Sequence, residues 1–350
     1  MRSWKRWLST RVQNYSCVSE HRLLTHAALI GAATVRERSS QHMRPYLRNR
    51  VLSAVLLTST TLMAQTKWHH RYAEVNGVKL HYVEQGKGPL ILFLHGFPEF
   101  WYEWKDLVPE FSKDHHAVAP DLRGYNLSSM PEAVEQYRVP VIVEDVRALA
   151  VKLKARKFVL VGHDWGGVIA WAFAAAHPEM LDKLVIVNAP HPTVFARELA
   201  NNPAQQKASA YFNLFNSPQA EKVLSQNDFQ NLQGLLKPWA TDADRKEYLA
   251  SWGRGLTGGL NYYRAARLHS PVGGSQAATD NTLPEMKPIE IPTLVIWGEK
   301  DTALLTGNLD GLDQYVKNLK VRRVPEGTHW VIHEKTAEVI QYMREFLGRS

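Results

Sequence analysis

The main body of this chain has no thiol. Its only cysteine, Cys17, stands near the amino terminus. Disulfides, Cys-ligated zinc and a cysteine nucleophile are therefore excluded from everything beyond that segment. The body also lacks an excess of charge. The formal net charge is +8, but residues 1–50 hold ten Lys and Arg against two Asp and Glu, which leaves 32 of each sign in the other 300 residues. Nothing in that balance points to nucleic acid. No G-x-G-x-x-G follows the first strand, and no His/Asp/Glu cluster has ligand spacing, so neither a metal nor an organic cofactor is expected. There is no internal repeat and no low-complexity tract. Aromatic residues are plentiful, with 11 Trp, enough for a large core and an apolar pocket.

Residues 1–66 read as an extension ahead of the globular body. Met43–Arg50 has the charge of a signal-peptide n-region, Val51–Met63 is a short apolar h-region, and Ala64-Gln65 offers a cleavage point. The apolar stretch falls short of the roughly 20 residues that a membrane span needs. A signal at 43–64 makes Met43 the expected true start. Cleavage would leave a secreted or periplasmic product with no stable membrane insertion. An Arg-rich transit peptide over 1–64 and an uncleaved anchor are the competing readings, and without export the protein stays cytoplasmic.

The body alternates buried strands with helices. Asn76-Gly77 marks a hairpin between two alternating runs. Leu90–Leu94, Ala117–Pro120, Val159–Val161, Leu184–Val187 and Pro292–Gly298 are short apolar runs, expected of strands buried on both faces of a parallel sheet. Lys320–Val324 is expected to add another. Trp101–Phe111, Val139–Leu153, Val168–Ala176 and Thr336–Leu347 have helical period. From 193 to 286 there is no buried strand, only helix-like stretches and aromatic clusters. The expected order is a first core part at 67–192, a helical cap at 193–286 and a second core part at 287–350.

One stretch organises the whole. Gly162-His163-Asp164-Trp165-Gly166-Gly167 joins an apolar strand to an apolar helix, the strand–turn–helix form of a nucleophile elbow, with Asp164 where Ser usually stands. A carboxylate, with a reference pKa of about 3.9, needs no base in order to attack. The ester that it forms must then be cleaved by water, and that second step needs a base. Asp164 alone could equally cap the following helix. Asp301 and His329 shift the balance: both follow candidate strands, and the order nucleophile, acid, His is that of an α/β-hydrolase. His329 would activate water, and Asp301 would hold its imidazole in the right tautomer.

His95-Gly96-Phe97-Pro98-Glu99, Asp121-Leu122-Arg123-Gly124-Tyr125, the elbow, Trp297-Gly298-Glu299-Lys300-Asp301 and Thr328-His329-Trp330 form a motif series that resembles the α/β-hydrolase-fold epoxide hydrolases over residues 70–348. The resemblance implies an α/β fold with a mostly parallel eight-stranded sheet, helices on both faces and an inserted cap. It implies hydrolysis of an epoxide to a vicinal diol, with small-molecule epoxide as the partner and a monomer or homodimer as the assembly. It places the oxyanion donors at the backbone N–H groups of Phe97 and Trp165. His95, Pro98, Trp165 and Trp330 are expected to line the substrate pocket. Two cap tyrosines would hydrogen-bond the ring oxygen: Tyr211 matches by its spacing to Pro218, and Tyr263, in Leu260-Asn261-Tyr262-Tyr263-Arg264, matches more closely, with Tyr262 as its alternative. Haloalkane and haloacid dehalogenases share the Asp nucleophile. Here, however, Phe97 stands where a halide-binding Asn would, and Trp165 stands where a carboxylate-binding Arg would; a cap Trp, Trp239 or Trp252, is left as a substitute halide ligand. A non-catalytic binder on the same fold is the remote alternative.

Overall fold

The computed structural model describes residues 68–272 and 286–348. The expected extension and the signal at 43–64 lie outside these residues, as does 273–285 within the expected cap.

Eight strands form one sheet in the order β1-β2-β4-β3-β5-β6-β7-β8. β1 (His69–Val75) and β2 (Val78–Gln85) are the hairpin, and Asn76 and Gly77 both take positive φ at its turn, as a two-residue loop of this hand requires. β2 also runs antiparallel to β4 (His116–Pro120). From there every pairing is parallel, through β3 (Leu90–Leu94), β5 (Phe158–His163), β6 (Leu181–Val187), β7 (Thr293–Gly298) and β8 (Leu319–Val324). β3, β5 and β7 are buried at every residue. The apolar runs exist because helices cover both faces and leave little place for a polar side chain before the strand ends. All parallel strands end on one edge. Open parallel sheets build their sites there, and the segments after β3, β5, β6, β7 and β8 carry Phe97, Asp164, Asn188, Asp301 and His329.

One expected helix is divided. Trp101–Trp104 is a 3-10 turn and Leu107–Phe111 a short α-helix. Pro109 has no N–H to return to the carbonyl of Lys105, so the ladder cannot run through. The Trp101 N–H is instead taken by the Asp121 carboxylate at 3.0 Å, which fixes the turn against the end of β4.

The cap begins at Pro192. The described part is helical: Pro192–Asn201, Pro203–Ala208, Tyr211–Phe215, Ala220–Leu236, Asp242–Trp252 and Thr257–Ala266. Gln205 pins the second of these helices, Pro203–Ala208, to the core. Its side-chain N–H groups donate to the Ala303 carbonyl (2.8 Å) and to Ser209 Oγ (2.9 Å). Its carbonyl oxygen accepts from the Leu305 N–H and the Asn308 side chain, each at 2.9 Å. None of the described helices is long and apolar enough to cross a membrane.

The elbow needs glycine where strand meets helix. A Cβ on Gly166 would run into the Leu94 carbonyl of the neighbouring strand, and one on Gly162 would run into Gly166 itself. Gly166→Ala is expected to destabilise the protein by about 1–3 kcal/mol through overpacking. Urea denaturation followed by circular dichroism tests this, and an unchanged midpoint would mean that the contact has slack.

Candidate active site

Asp164 sits at φ 49°, ψ −120°, outside the regions that a side-chain-bearing residue prefers. The turn pushes the carboxylate up over the sheet edge. Gly96 lies directly beneath, so close that a Cβ there would overlap the Asp164 side chain. The Phe97 N–H donates to Asp164 Oδ1 at 2.8 Å. The next residue, Trp165, opens the helix Trp165–Ala176, and its N–H is one of the amides for which a helix start has no internal partner. The positive end of that helix also favours negative charge at Asp164.

His329 faces the other carboxylate oxygen, with Nε2 3.7 Å from Asp164 Oδ2. Its Nδ1 is 2.7 Å from Asp301 Oδ2. Asp301 is held on every side. Oδ1 accepts from the Ala303 and Leu304 N–H groups at 2.8 and 2.9 Å, and Oδ2 also accepts from the Asn188 side chain at 2.8 Å. Burial works against the Asp301 carboxylate, but His329 and these N–H donors outweigh it and bring its pKa below the usual value. For His329, burial again disfavours charge. The Asp301 charge and hydrogen bond, with the Asp164 charge beyond them, prevail and raise the imidazole to about 9. The contacts that orient the ring therefore also favour its protonated form.

The cap completes the site. Asp164, Trp165, Tyr211, Phe212, Tyr263 and Leu304 line one cavity that opens to solvent. Its remaining lining is apolar, with Phe195 beside aliphatic residues and prolines. The rings of Tyr211 and Tyr263 are 6.2 Å apart at 82°, and Tyr263 stands edge-on to Trp165 at 5.0 Å. Burial and then the Asp164 charge push both phenols well above the usual tyrosine pKa, so both keep their protons. Tyr262 turns the other way: it is buried, and its OH donates to the Arg123 carbonyl at 2.9 Å.

Three expected pocket residues lie elsewhere. His95 is fully buried. Its Nδ1 donates to the Gly96 carbonyl (2.9 Å) and its Nε2 accepts the Leu122 N–H (3.0 Å), so the ring is consumed in joining the loops after β3 and β4. Pro98 borders a smaller, separate cavity with Phe97 and Tyr125, and its carbonyl accepts from Trp252 Nε1 at 2.7 Å. Trp330 packs edge-on against His329 at 5.0 Å and does not reach the cavity. The two tryptophans considered as halide ligands are also away from it. Trp252 is bound to Pro98, and Trp239 stacks on His333 at 3.7 Å.

Residues 89–336 match the model of the alpha/beta hydrolase fold family. The chain belongs to that family. Mouse epoxide hydrolase 4 is 36% identical over 281 residues, which covers 75% of each chain. The Bacillus subtilis AB hydrolase superfamily protein YfhM is 36% identical over 289 residues, 79% of this chain and 97% of that one. A crystal structure of the Bacillus megaterium epoxide hydrolase with an inhibitor superposes with a TM-score of 0.75 at 40% identity, covering 80% of this chain and all of that one. This α/β-hydrolase thus falls in the group that includes those epoxide hydrolases.

Sequence reasoning missed three polar residues of this α/β-hydrolase. Asn188, at φ 36° just past β6, bridges the Gly298 N–H (2.7 Å) and Asp301. Glu103 accepts the Gly96 N–H at 3.1 Å, and Gln205 grips the loop after Asp301. The one available signal was a lone acid in the aromatic run Phe100-Trp101-Tyr102-Glu103-Trp104. Among the described residues no group of His, Cys, Asp and Glu is placed to hold a metal ion.

The raised His329 pKa carries a stability consequence. A group with an ordinary value of 6.5 and a folded value of about 9 stabilises the fold fully below pH 6.5, and loses that contribution as the pH rises through 9. The thermal midpoint of the wild type is expected to fall over this interval by more than that of His329→Gln. Parallel curves from differential scanning calorimetry would show that the imidazolium is not held.

Proposed function

We propose that this chain opens an epoxide with Asp164 and hydrolyses the resulting ester to release a vicinal diol. The observation that carries the reading is the placement of two proton-keeping phenols, Tyr211 and Tyr263, on the same apolar cavity as the Asp164 carboxylate. An epoxide needs both at once: a nucleophile at carbon and a donor at the ring oxygen.

Phe97 holds Asp164 Oδ1, so Oδ2 is the attacking atom. The new C–O bond forms as the ring C–O bond breaks, and the alkoxide takes a tyrosine proton. Esterification removes the Asp164 charge that helps to hold the proton on His329. The imidazolium then gives up its proton to restore the phenol, and the neutral ring becomes the base. Water bonded to Nε2 loses a proton to it and adds to the Asp164 carbonyl carbon. The Phe97 and Trp165 N–H groups take the oxyanion, each contributing about 3–4 kcal/mol. Collapse expels the diol oxygen, which takes the proton of the added hydroxyl, and Asp164 and the imidazolium return.

A dehalogenase would need a second halide donor in the cavity, and neither Trp239 nor Trp252 lies there. The apolar lining suits an uncharged aryl or alkyl substituent. A Bacillus megaterium variant has been solved with its product (R)-3-[1]naphthyloxy-propane-1,2-diol, which makes 1-naphthyl glycidyl ether a fitting second substrate. Export through a signal at 43–64 belongs to the same reading, with a mature amino terminus expected at Gln65.

His329→Gln given styrene oxide is expected to gain the epoxide mass on the Asp164 peptide, while 1-chlorobutane leaves none. An adduct from the chloroalkane alone would make this a dehalogenase. Tyr263→Phe should slow ester formation by about 10²-fold with little change in ester decay. Single-turnover quenching measures both steps, and an equal loss in both would remove Tyr263 from the donor role.

A further inference from the structure

Behind the triad lies a second set of buried acids and histidines that the reaction above does not use. Glu103, on the 3-10 turn Trp101–Trp104, is 1% exposed. Its Oε2 accepts the Gly96 N–H at 3.1 Å. Its Oε1 lies 2.5 Å from His163 Nδ1, close but poorly aligned, and neither of these two atoms has any other hydrogen-bond partner. His163 Nε2 in turn is 2.9 Å from the His329 backbone carbonyl. We propose that Glu103 is a positioning residue for the hydrolytic half-reaction, tying the loop that carries the Phe97 donor to the loop that carries His329.

The hydrogen-bond directions follow from the acceptors. The His329 carbonyl can only accept, so His163 Nε2 carries a proton. In the neutral ring Nδ1 is then a lone pair that needs a donor, and the Glu103 carboxyl is the group within reach. Glu103 must therefore be the neutral acid, with Oε1–H toward His163 and Oε2 receiving Gly96. The alternative, a Glu103 carboxylate with a His163 imidazolium, buries an anion near Glu99 and Asp164 and a cation against His329. Burial, then the Glu99 and Asp164 charges, push Glu103 well above the usual carboxyl pKa, although His333 and the Gly96 N–H pull the other way. Burial, then the His329 charge, bring His163 down to about 4. The chain Gly96–Glu103–His163–His329 is thus held without net charge. It adds no net charge beside Asp164 and fixes two backbones at once.

The distinction between the two half-reactions follows. Ester formation uses Asp164 and the cap tyrosines, and Glu103 reaches them only through the Phe97 N–H, a single bond to the carboxylate oxygen that does not attack. Ester hydrolysis needs the Phe97 donor and the His329 base in register over one carbon, and both hang on this chain. This reading rests on the proposed epoxide hydrolysis.

The experiment compares Glu103→Gln and Glu103→Met in the full chain, by single-turnover quenching with styrene oxide. A carboxamide can accept from Gly96 and donate to His163, so Glu103→Gln should keep ester hydrolysis within about threefold of wild type. Glu103→Met keeps the length but loses both bonds. Ester hydrolysis should fall by about 10²-fold, the scale of an ångström-level misplacement, while ester formation stays within about threefold and the ester accumulates. Equal damage in Gln and Met, or equal slowing of both steps in Met, would overturn the assignment. If Met does not fold, Gln decides alone, because a working carboxylate would make it inactive. If the wild type opens no epoxide, the function has failed rather than this inference. The carboxyl carbon signal of Glu103, assigned by its loss in Glu103→Gln, still tests the neutral acid: a protonated position at pH 7 supports it, and an ionised position sinks it.

Discussion

Everything at this site depends on one strained residue. Asp164 is forced to positive φ because β5 must turn into its helix without room for an ordinary corner. Gly96 leaves the volume that the Asp164 side chain needs, and Gly162 and Gly166 let strand and helix meet closely at that turn. The strain does chemical work. It lifts a carboxylate clear of the sheet and sets one oxygen on the Phe97 N–H. The other oxygen is left facing both the cavity and His329. A relaxed backbone would return the side chain to the packed interface, and a buried carboxylate with no task would cost more than any contact it made.

Charge is managed in two layers around that point. The inner layer is ionic: Asp164 and Asp301 share a proton-bearing His329. The outer layer, with Glu103 and His163, is polar without net charge. In a low-dielectric interior an extra anion behind the nucleophile would raise the cost of holding Asp164 ionised. The cap adds only phenols and hydrocarbon. The groups set directly against the carboxylate are the His329 imidazole, backed by Asp301, and the start of the helix. That explains why neutralising Asp164 by esterification can change the role of His329.

How much of this was legible varied with range along the chain. The strands after which Asp164, Asp301 and His329 stand were readable because each is a short apolar run closed by a turn motif, and turn chemistry is local. The choice between Tyr262 and Tyr263 was open because adjacent aromatic residues on a buried helix carry no periodic signal; only the Arg123 carbonyl, distant in sequence, claims Tyr262. His95 read as a pocket residue because it opens a site-bearing loop, yet both of its nitrogens serve the backbone. Asn188, Glu103 and Gln205 were not seen. Asn188 and Gln205 act across about a hundred residues, and a single Asn or Gln looks the same in sequence whether it spans two loops or faces water.

Gln205 joins a cap helix to the very loop whose N–H groups hold Asp301. The position of that helix is therefore coupled to the residues that orient the acid and, through it, the base: in the proposed reaction, any displacement of the helix would be felt at Asp301 and His329.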